Sequence, residues 1–384
     1  MIEFGILVAY VAIIVMAMVP IWIGSHQSLE QKMVETMKAK DAYMFPVVGS
    51  CVLFGLYLLF KLFSKEYINM LLTLYFLVFG VMAVGATLRP FIAPFFSKSL
   101  QDEKPKTFSL FSVAFEWTVI DIFALVLATG IGAWYVLTKH WIANNILGLA
   151  FSIQGIALLS LGSFQTGCIL LSGLFVYDIF WVFGTDVMVT VAKSFDAPVK
   201  LLWPKDVFAE QLHFSMLGLG DIVIPGIFIA LMLRFDVVRA RKQKAKKNFP
   251  KPYFNFTYVG YFLGMATTIG VMHVFKAAQP ALLYLVPYCI GSSVLAALLL
   301  GEVKELIFFS EEKSEEKKQK KTDSNPEKKA KKAKKQQPKE ANAPKKQQPK
   351  EANGAQKPKA NGEKKNKKEA NKAQPKSKQT TKAK

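Results

Sequence analysis

Apolar residues run in blocks, broken by short polar interruptions, through residues 4–300 of this 384-residue chain. The blocks are about 20 residues long, enough for a helix rising 1.5 Å per residue to cross a hydrocarbon core of about 30 Å. Windows at roughly 4–24, 45–63, 69–88, 118–138, 141–161, 167–191, 214–233, 256–275 and 280–300 predict an all-α polytopic membrane protein of about nine transmembrane helices. The first window, Phe4 to Gly24, is long, lacks a basic start and has no small-residue cleavage site, so it reads as a retained span. The connector 234–252 carries Arg234, Arg239, Arg241, Lys242, Lys244, Lys246, Lys247 and Lys251, which places it in the cytosol. Alternation then makes the N-terminus luminal and the C-terminus cytosolic. It also makes the stretch 192–213, with Lys193, Asp196, Lys200, Lys205, Asp206 and Glu210, luminal. The sequon Asn255-Phe256-Thr257 falls on the cytosolic edge and is expected to stay unmodified.

Composition changes the picture at one end only. The chain is 52% hydrophobic, with a formal charge of +21 that would suggest a nucleic-acid partner if it were evenly spread. Residues 311–384 hold roughly +16 of it, so no nucleic acid is expected. Beyond Phe309 there is no aromatic residue, and Lys-Lys-Gln-Gln-Pro-Lys-Glu-Ala-Asn occurs at both 334–342 and 345–353. Such a segment cannot bury enough apolar surface to order itself, so 306–384 reads as a disordered basic cytosolic tail. A truncation at residue 310 is expected to leave catalysis intact. The remaining chain divides into helices 1–5 within 1–165 and helices 6–9 within 166–305. Cys51, Cys168 and Cys289 lie in apolar runs without paired or metal-ligand spacing and read as packing residues.

Two acids stand out because each lies deep in an apolar run. A charged carboxylate there costs about 2.5–3.5 kcal/mol on the lenient insertion scale, so a functional reason is the default expectation. Asp178 follows the cytosolic edge near Thr166 by about 12 residues, and Asp221 precedes Arg234 by about 13, which puts both roughly 18–20 Å deep. On antiparallel neighbouring helices they would face each other. Two carboxyls held close share one proton over a wide pH range. The ionised member then deprotonates a water while the protonated member polarises a scissile carbonyl, and the roles exchange as the intermediate collapses. This chemistry needs no cofactor, and His26, His140, His213 and His273 are too scattered to form a metal cluster.

The second acid is preceded by Leu217-Gly218-Leu219-Gly220, where two glycines permit close approach and a loosened backbone. A protease that cuts helices must first unwind them, and an exposed stretch of enzyme backbone can pair with the unwound strand. Gln279-Pro280-Ala281-Leu282 opens the last window, where a proline alone is only a good first-turn residue.

Taken in order, Tyr177-Asp178, Gly218-Leu219-Gly220-Asp221 and Pro280-Ala281-Leu282 on a nine-span chain resemble the GxGD intramembrane aspartyl proteases. Within that superfamily, the stretches Phe175 to Thr185 and Gln279 to Pro287 look more like the signal peptide peptidases than like presenilin. The resemblance covers roughly 70–305 well, the first two spans loosely and the distal tail not at all. It implies a presenilin-like fold and an enzyme of the endoplasmic reticulum membrane that cuts remnant signal peptides and type II membrane segments within the bilayer. Transmembrane signal-peptide helices would be substrates; a homo-oligomer and membrane-protein degradation machinery are the partner classes left open. By the same resemblance Asp178 and Asp221 form the catalytic pair, Tyr177, Gly218, Leu219 and Gly220 shape the site, and Pro280, Ala281 and Leu282 hold its active conformation.

Two positions depart from the family pattern. Asp186 stands where a neutral amide is usual; on a continuous helix it would lie about 12 Å luminal of Asp178, too far for direct catalysis. The C-terminus Thr381-Lys382-Ala383-Lys384 offers only one lysine placed for a dilysine retrieval signal. Asp121 reads as an interfacial acid, and Trp117, Trp141 and Tyr253 read as membrane-belt anchors. A proton-coupled transporter would also use paired intramembrane acids, but no inverted repeat relates the two halves of the chain. A non-catalytic chaperone for membrane segments is the other alternative, and the two intact acids argue against it.

Overall fold

A computed structural model describes residues 2–31, 35–101, 106–110, 113–195, 197–205, 213–243, 249–276 and 279–311. The Lys-rich repeats and retrieval signal, Asp196, Asp206 and Glu210, and Lys244, Lys246 and Lys247 lie outside the described residues.

The helices in chain order are α1 (Ile2–Gln27), α2 (Ala39–Leu62), α3 (Lys65–Ile92), α4 (Lys98–Gln101), α5 (Val119–Thr138), α6 (Trp141–Leu158), α7 (Phe164–Phe183), α8 (Val187–Ser194), α9 (Gly220–Lys242), α10 (Pro252–Phe275), α11 (Leu282–Leu300) and α12 (Val303–Ile307). Eight of them are long and apolar enough to cross a bilayer. The ninth long helix, α9, has 23 residues but also carries Asp221, Arg234, Asp236, Arg239, Arg241 and Lys242. The nine expected windows therefore correspond to nine long helices among the described residues.

Among the described residues three two-stranded sheets accompany the helices. Strands β1 (Glu35–Thr36) and β4 (Leu159–Ser160) pair in parallel, whereas β2 (Lys106–Leu110) with β3 (Val113–Trp117) and β5 (Lys200–Pro204) with β6 (Phe214–Gly218) are antiparallel. The register of the last pair sets Lys200 opposite Gly218 and Pro204 opposite Phe214.

Helices α6 and α9 are the central elements, and α9 is buried without a break from Pro225 to Asp236. Of the α6 apolar window 61% is buried inside the protein, against 39% or less for the other seven of the eight apolar spans. Small residues on several faces let neighbours approach, which suits helices held together by van der Waals contact in lipid. A Cβ built on Gly155 would come within 3.1 Å of Val223 on α9. The main apolar core joins α1, α6, α7, α9, α10 and α11 through residues such as Ile21, Ile156, Leu171, Phe228, Tyr261 and Leu285.

Four expectations are corrected. The sixth window ran to 191, but α7 ends at Phe183, where the Gly184 N–H donates to Phe180 O at 2.9 Å. Asp186 consequently lies off that helix, at the N-cap of α8, and its helical offset from Asp178 has no meaning. The seventh window began at 214, but 214–218 is strand and α9 starts at Gly220, because Gly218 and Gly220 favour neither helix nor a long strand. Tyr253 is fully buried, packed edge-on against Phe235 with its hydroxyl on Glu302 at 3.3 Å, so it is no belt anchor.

The fourth correction concerns the tail. The body continues to Glu311, beyond the expected boundary at 306. The Glu311 N–H donates to Gly162 O at 2.8 Å, and Phe164 N–H to Phe309 O at 3.3 Å. The Glu311 carboxylate meets Arg234 and the Ser160 hydroxyl, and Phe309 packs on Phe235. Leu306, Phe309 and Glu311 are buried there, while Phe308 stays exposed. Asp121, which the sequence suggests is interfacial, pairs with Arg89 at 2.6 Å and closes a capping box with Thr118, its side chain 31% exposed.

Candidate active site

Asp178 sits in the fourth turn of α7, 5% exposed, on the face that also carries the buried Leu171 and Leu174. Its Oδ2 accepts the Leu282 N–H at 3.0 Å. That N–H opens α11: Pro280 O already accepts Leu283 N–H at 3.2 Å, and Ala281 O accepts those of Tyr284 and Leu285 at 3.1 and 3.0 Å. The first donors of a helix have no partner within it. Asp178 supplies one across the fold, and its carboxylate meets the positive end of the aligned peptide dipoles. Pro280 is buried and, having no N–H, leaves no further donor to satisfy at that crowded point.

Asp221 lies in the first turn of α9, within electrostatic reach of the Asp178 carboxylate. About 13 residues separate Asp221 from Arg234 and about 14 separate Phe164 from Asp178, so the two acids stand roughly 20 Å from the same end of the protein. These separations are close to those read from the sequence, although the sixth window ended too late and the seventh began too early. The turn carrying Asp221 is fixed from three sides. Leu219 N–H donates to Val199 O at 3.0 Å, Leu219 O accepts the Ile222 and Val223 N–H groups, and the Tyr261 hydroxyl of α10 donates to Asp221 O at 3.2 Å.

The glycines of the motif are not demanded by crowding. A Cβ built on Gly220 meets nothing within 4 Å, and one on Gly218 lies 3.4 Å from Asp221 Oδ2. Only at Gly218 would a Cβ stand against that carboxyl. Tyr177 packs its ring on Gly49 of α2, about 3.6 Å from a Cβ built there, and neighbours Trp181, whose indole N–H donates to Ser50 Oγ at 3.0 Å.

Strand β6 runs straight into this turn. One edge of the hairpin is satisfied by α6: Asn144 Nδ2 donates to Lys200 O at 2.7 Å, while Asn145 Nδ2 donates to Leu202 O at 2.7 Å and its Oδ1 accepts Leu202 N–H at 2.8 Å. The carboxamide of Asn145 thus stands in for a neighbouring strand. No strand pairs with the outer edge of β6 among the described residues. Sequence reasoning brought forward neither the asparagines nor Tyr261. An adjacent Asn-Asn pair inside an apolar window was the available signal for the former, and Pro225 four residues after Asp221 for the latter. Among the described residues no group of His, Cys, Asp and Glu is placed to hold a metal ion.

Comparison with known proteins bears on the same region. A family model described as signal peptide peptidase matches residues 29–314. The signal peptide peptidase of Homo sapiens is 49% identical over 327 residues, covering 80% of this chain and 84% of that one. A probable intramembrane protease of Schizosaccharomyces pombe is 36% identical over 312 residues, covering 81% and 96%. A solved presenilin-family intramembrane aspartate protease aligns over 74% of this chain and 95% of its own, with a TM-score of 0.43 and 18% identity.

Proposed function

Because the chain belongs to the signal peptide peptidase family, it is an intramembrane aspartic endopeptidase, and we propose that Asp178 and Asp221 are the carboxyls that carry its chemistry. The observation that carries this reading is a buried carboxylate, Asp178, held by the Leu282 N–H with a second acid inside its electrostatic reach. One acid takes a proton from water, and the water oxygen attacks the scissile carbonyl carbon as the other acid donates its proton to the carbonyl oxygen. Collapse of the tetrahedral intermediate breaks the C–N bond and passes a proton to the leaving amine.

The supporting residues then have physical roles. Pro280, Ala281 and Leu282 present the N–H that holds Asp178. Gly218, Leu219 and Gly220 end a strand and start a helix with an open approach to Asp221. Tyr177 closes the α2 side. The edge of β6 with which no described strand pairs suits an unwound substrate strand, whose backbone would hydrogen-bond there and so bring its carbonyl to the acids. Substrates on this reading are signal-peptide helices and type II membrane segments in the endoplasmic reticulum membrane. The basic end of α9, with Arg239, Arg241 and Lys242, favours a cytosolic placement of that end and hence a luminal N-terminus.

The test is mass spectrometry of a synthetic signal-peptide helix incubated with the purified protein in lipid, beside Asp178→Ala and Asp221→Ala. Cleavage inside the apolar stretch by wild type alone is expected. Persistent cleavage by either folded variant would remove that residue from the pair.

A further inference from the structure

The carbonyl of Asp221 has a chemical peculiarity written in the sequence. In an α-helix it would accept the N–H of the residue four positions on, and that residue is Pro225, inside α9. Proline has no N–H, and its ring crowds the same carbonyl. The turn that carries Asp221 therefore lacks the bond that ordinarily fixes it, in a bilayer that offers no water to replace it.

The missing donor comes from another helix. Tyr261 on α10 is fully buried, and its hydroxyl donates to Asp221 O at 3.2 Å. Its position is set by close packing of α10 on α11. Gly260 and Gly264 flank it at the spacing of a small-xxx-small contact, and a Cβ on Gly260 would strike Ser292 Oγ and come within 2.8 Å of Tyr288 O. Helix α11 is the one whose first N–H holds Asp178. A single pair of tightly packed helices thus touches both acids, Asp178 through Leu282 N–H and Asp221 through the Tyr261 hydroxyl.

We propose that Tyr261 is a positioning residue: its hydroxyl replaces the backbone N–H that Pro225 withholds from Asp221 and so fixes the turn that aims the Asp221 carboxyl at Asp178. The inference rests on Asp221 being catalytic. Tyr261 touches no reacting atom, and its effect is on geometry, where a displacement of about 1 Å can cost 100-fold in rate.

Tyr261→Phe keeps the buried ring and removes only the donor. With a signal-peptide helix as substrate, kcat should fall roughly 10-fold or more while KM stays within about twofold. Pro225→Ala restores a backbone N–H to the Asp221 carbonyl, so in that background Tyr261→Phe should cost less than about twofold. Wild-type kcat in Tyr261→Phe, or the same loss in both backgrounds, overturns the proposal. Asp221→Asn, run beside them, separates the two claims: an active Asp221→Asn defeats the catalytic assignment, whereas an inactive one with a wild-type Tyr261→Phe defeats only this inference.

Should Pro225→Ala not fold, solid-state NMR decides. Labelling Asp carbonyl carbon and Ile nitrogen reports on Asp121-Ile122, Asp178-Ile179 and Asp221-Ile222, the three such pairs in the sequence. Tyr261→Phe should move the Asp221 carbonyl signal and leave that of Asp121 in place; an unmoved Asp221 signal overturns the proposal.

Discussion

Replacing Glu311 by Gln tests whether the chain beyond the last span is part of the folded body. The side chains of Arg234 and Glu311 are each 8% exposed and meet directly. Arg234 also donates to Ser28 Oγ at 3.0 Å and to Ser160 Oγ at 3.3 Å, so three separate segments converge on one guanidinium. Removing one charge of a buried pair costs about 3–5 kcal/mol, because the other is left uncompensated. Gln retains an acceptor and the two serines remain, which puts the expected loss near the lower end, about 3 kcal/mol. For a body of this size that corresponds to a fall of roughly 5 °C in the thermal midpoint, read by tryptophan fluorescence or calorimetry in detergent. The double variant Arg234→Leu with Glu311→Leu removes both charges and should recover most of the loss, since apolar replacement of a buried pair is often neutral. A Glu311→Gln midpoint within about 1 °C of wild type, or a double variant no better than the single one, would refute the reasoning.

Other changes have equally direct expectations. Asp236 is 1% exposed and accepts the Phe254 N–H at 2.9 Å and the Tyr253 N–H at 3.4 Å, which caps α10 from α9; Asp236→Ala should lower stability by about 2 kcal/mol, measured by thermal midpoint. Asn145→Ala removes the bonds to Leu202 N–H and O, so hydrogen exchange at 200–204 should accelerate and cleavage of signal-peptide helices should slow. Exchange unchanged in that variant would show that α6 does not hold the hairpin. Truncation after Glu311, which keeps Phe309 and the Arg234 pair, should preserve peptidase activity; the same assay on a folded but inactive truncation would give the polar tail a catalytic role.

What the sequence made legible was set by period and by cost. Blocks of about 20 apolar residues announce spans because nothing else in a chain needs that length, and an acid inside one stands out because burying it is expensive. Asp178 and Asp221 therefore stand out, and their similar separations from the edges near Thr166 and Arg234 give an expected relative height before any packing is known. Hydropathy could not place the true ends of α7 and α9, since Val187 to Val191 and Phe214 to Leu217 are as apolar as the helices they adjoin. Backbone hydrogen bonding decides there, through Gly184, Gly218 and Gly220, and it turns apparent helix into a short helix and a strand.

The residues that hold the acids were harder to read because their role exists only across the fold. Tyr261 is one aromatic among many in apolar runs, and nothing local marks its hydroxyl as a donor to Asp221. Pro225 was the legible half of that pair: a proline four residues after a buried acid strips the acid's own carbonyl of its partner, and lipid offers no water to replace it. A missing donor inside a membrane helix thus predicts that a donor arrives from a neighbour, though not from which one. The same accounting applies at the start of α11, where an unpartnered Leu282 N–H required an acceptor and Asp178 supplied it. Counting unsatisfied backbone groups near intramembrane acids is therefore a more specific guide to a site's supports than hydropathy, which registers both Tyr261 and Leu282 only as apolar positions.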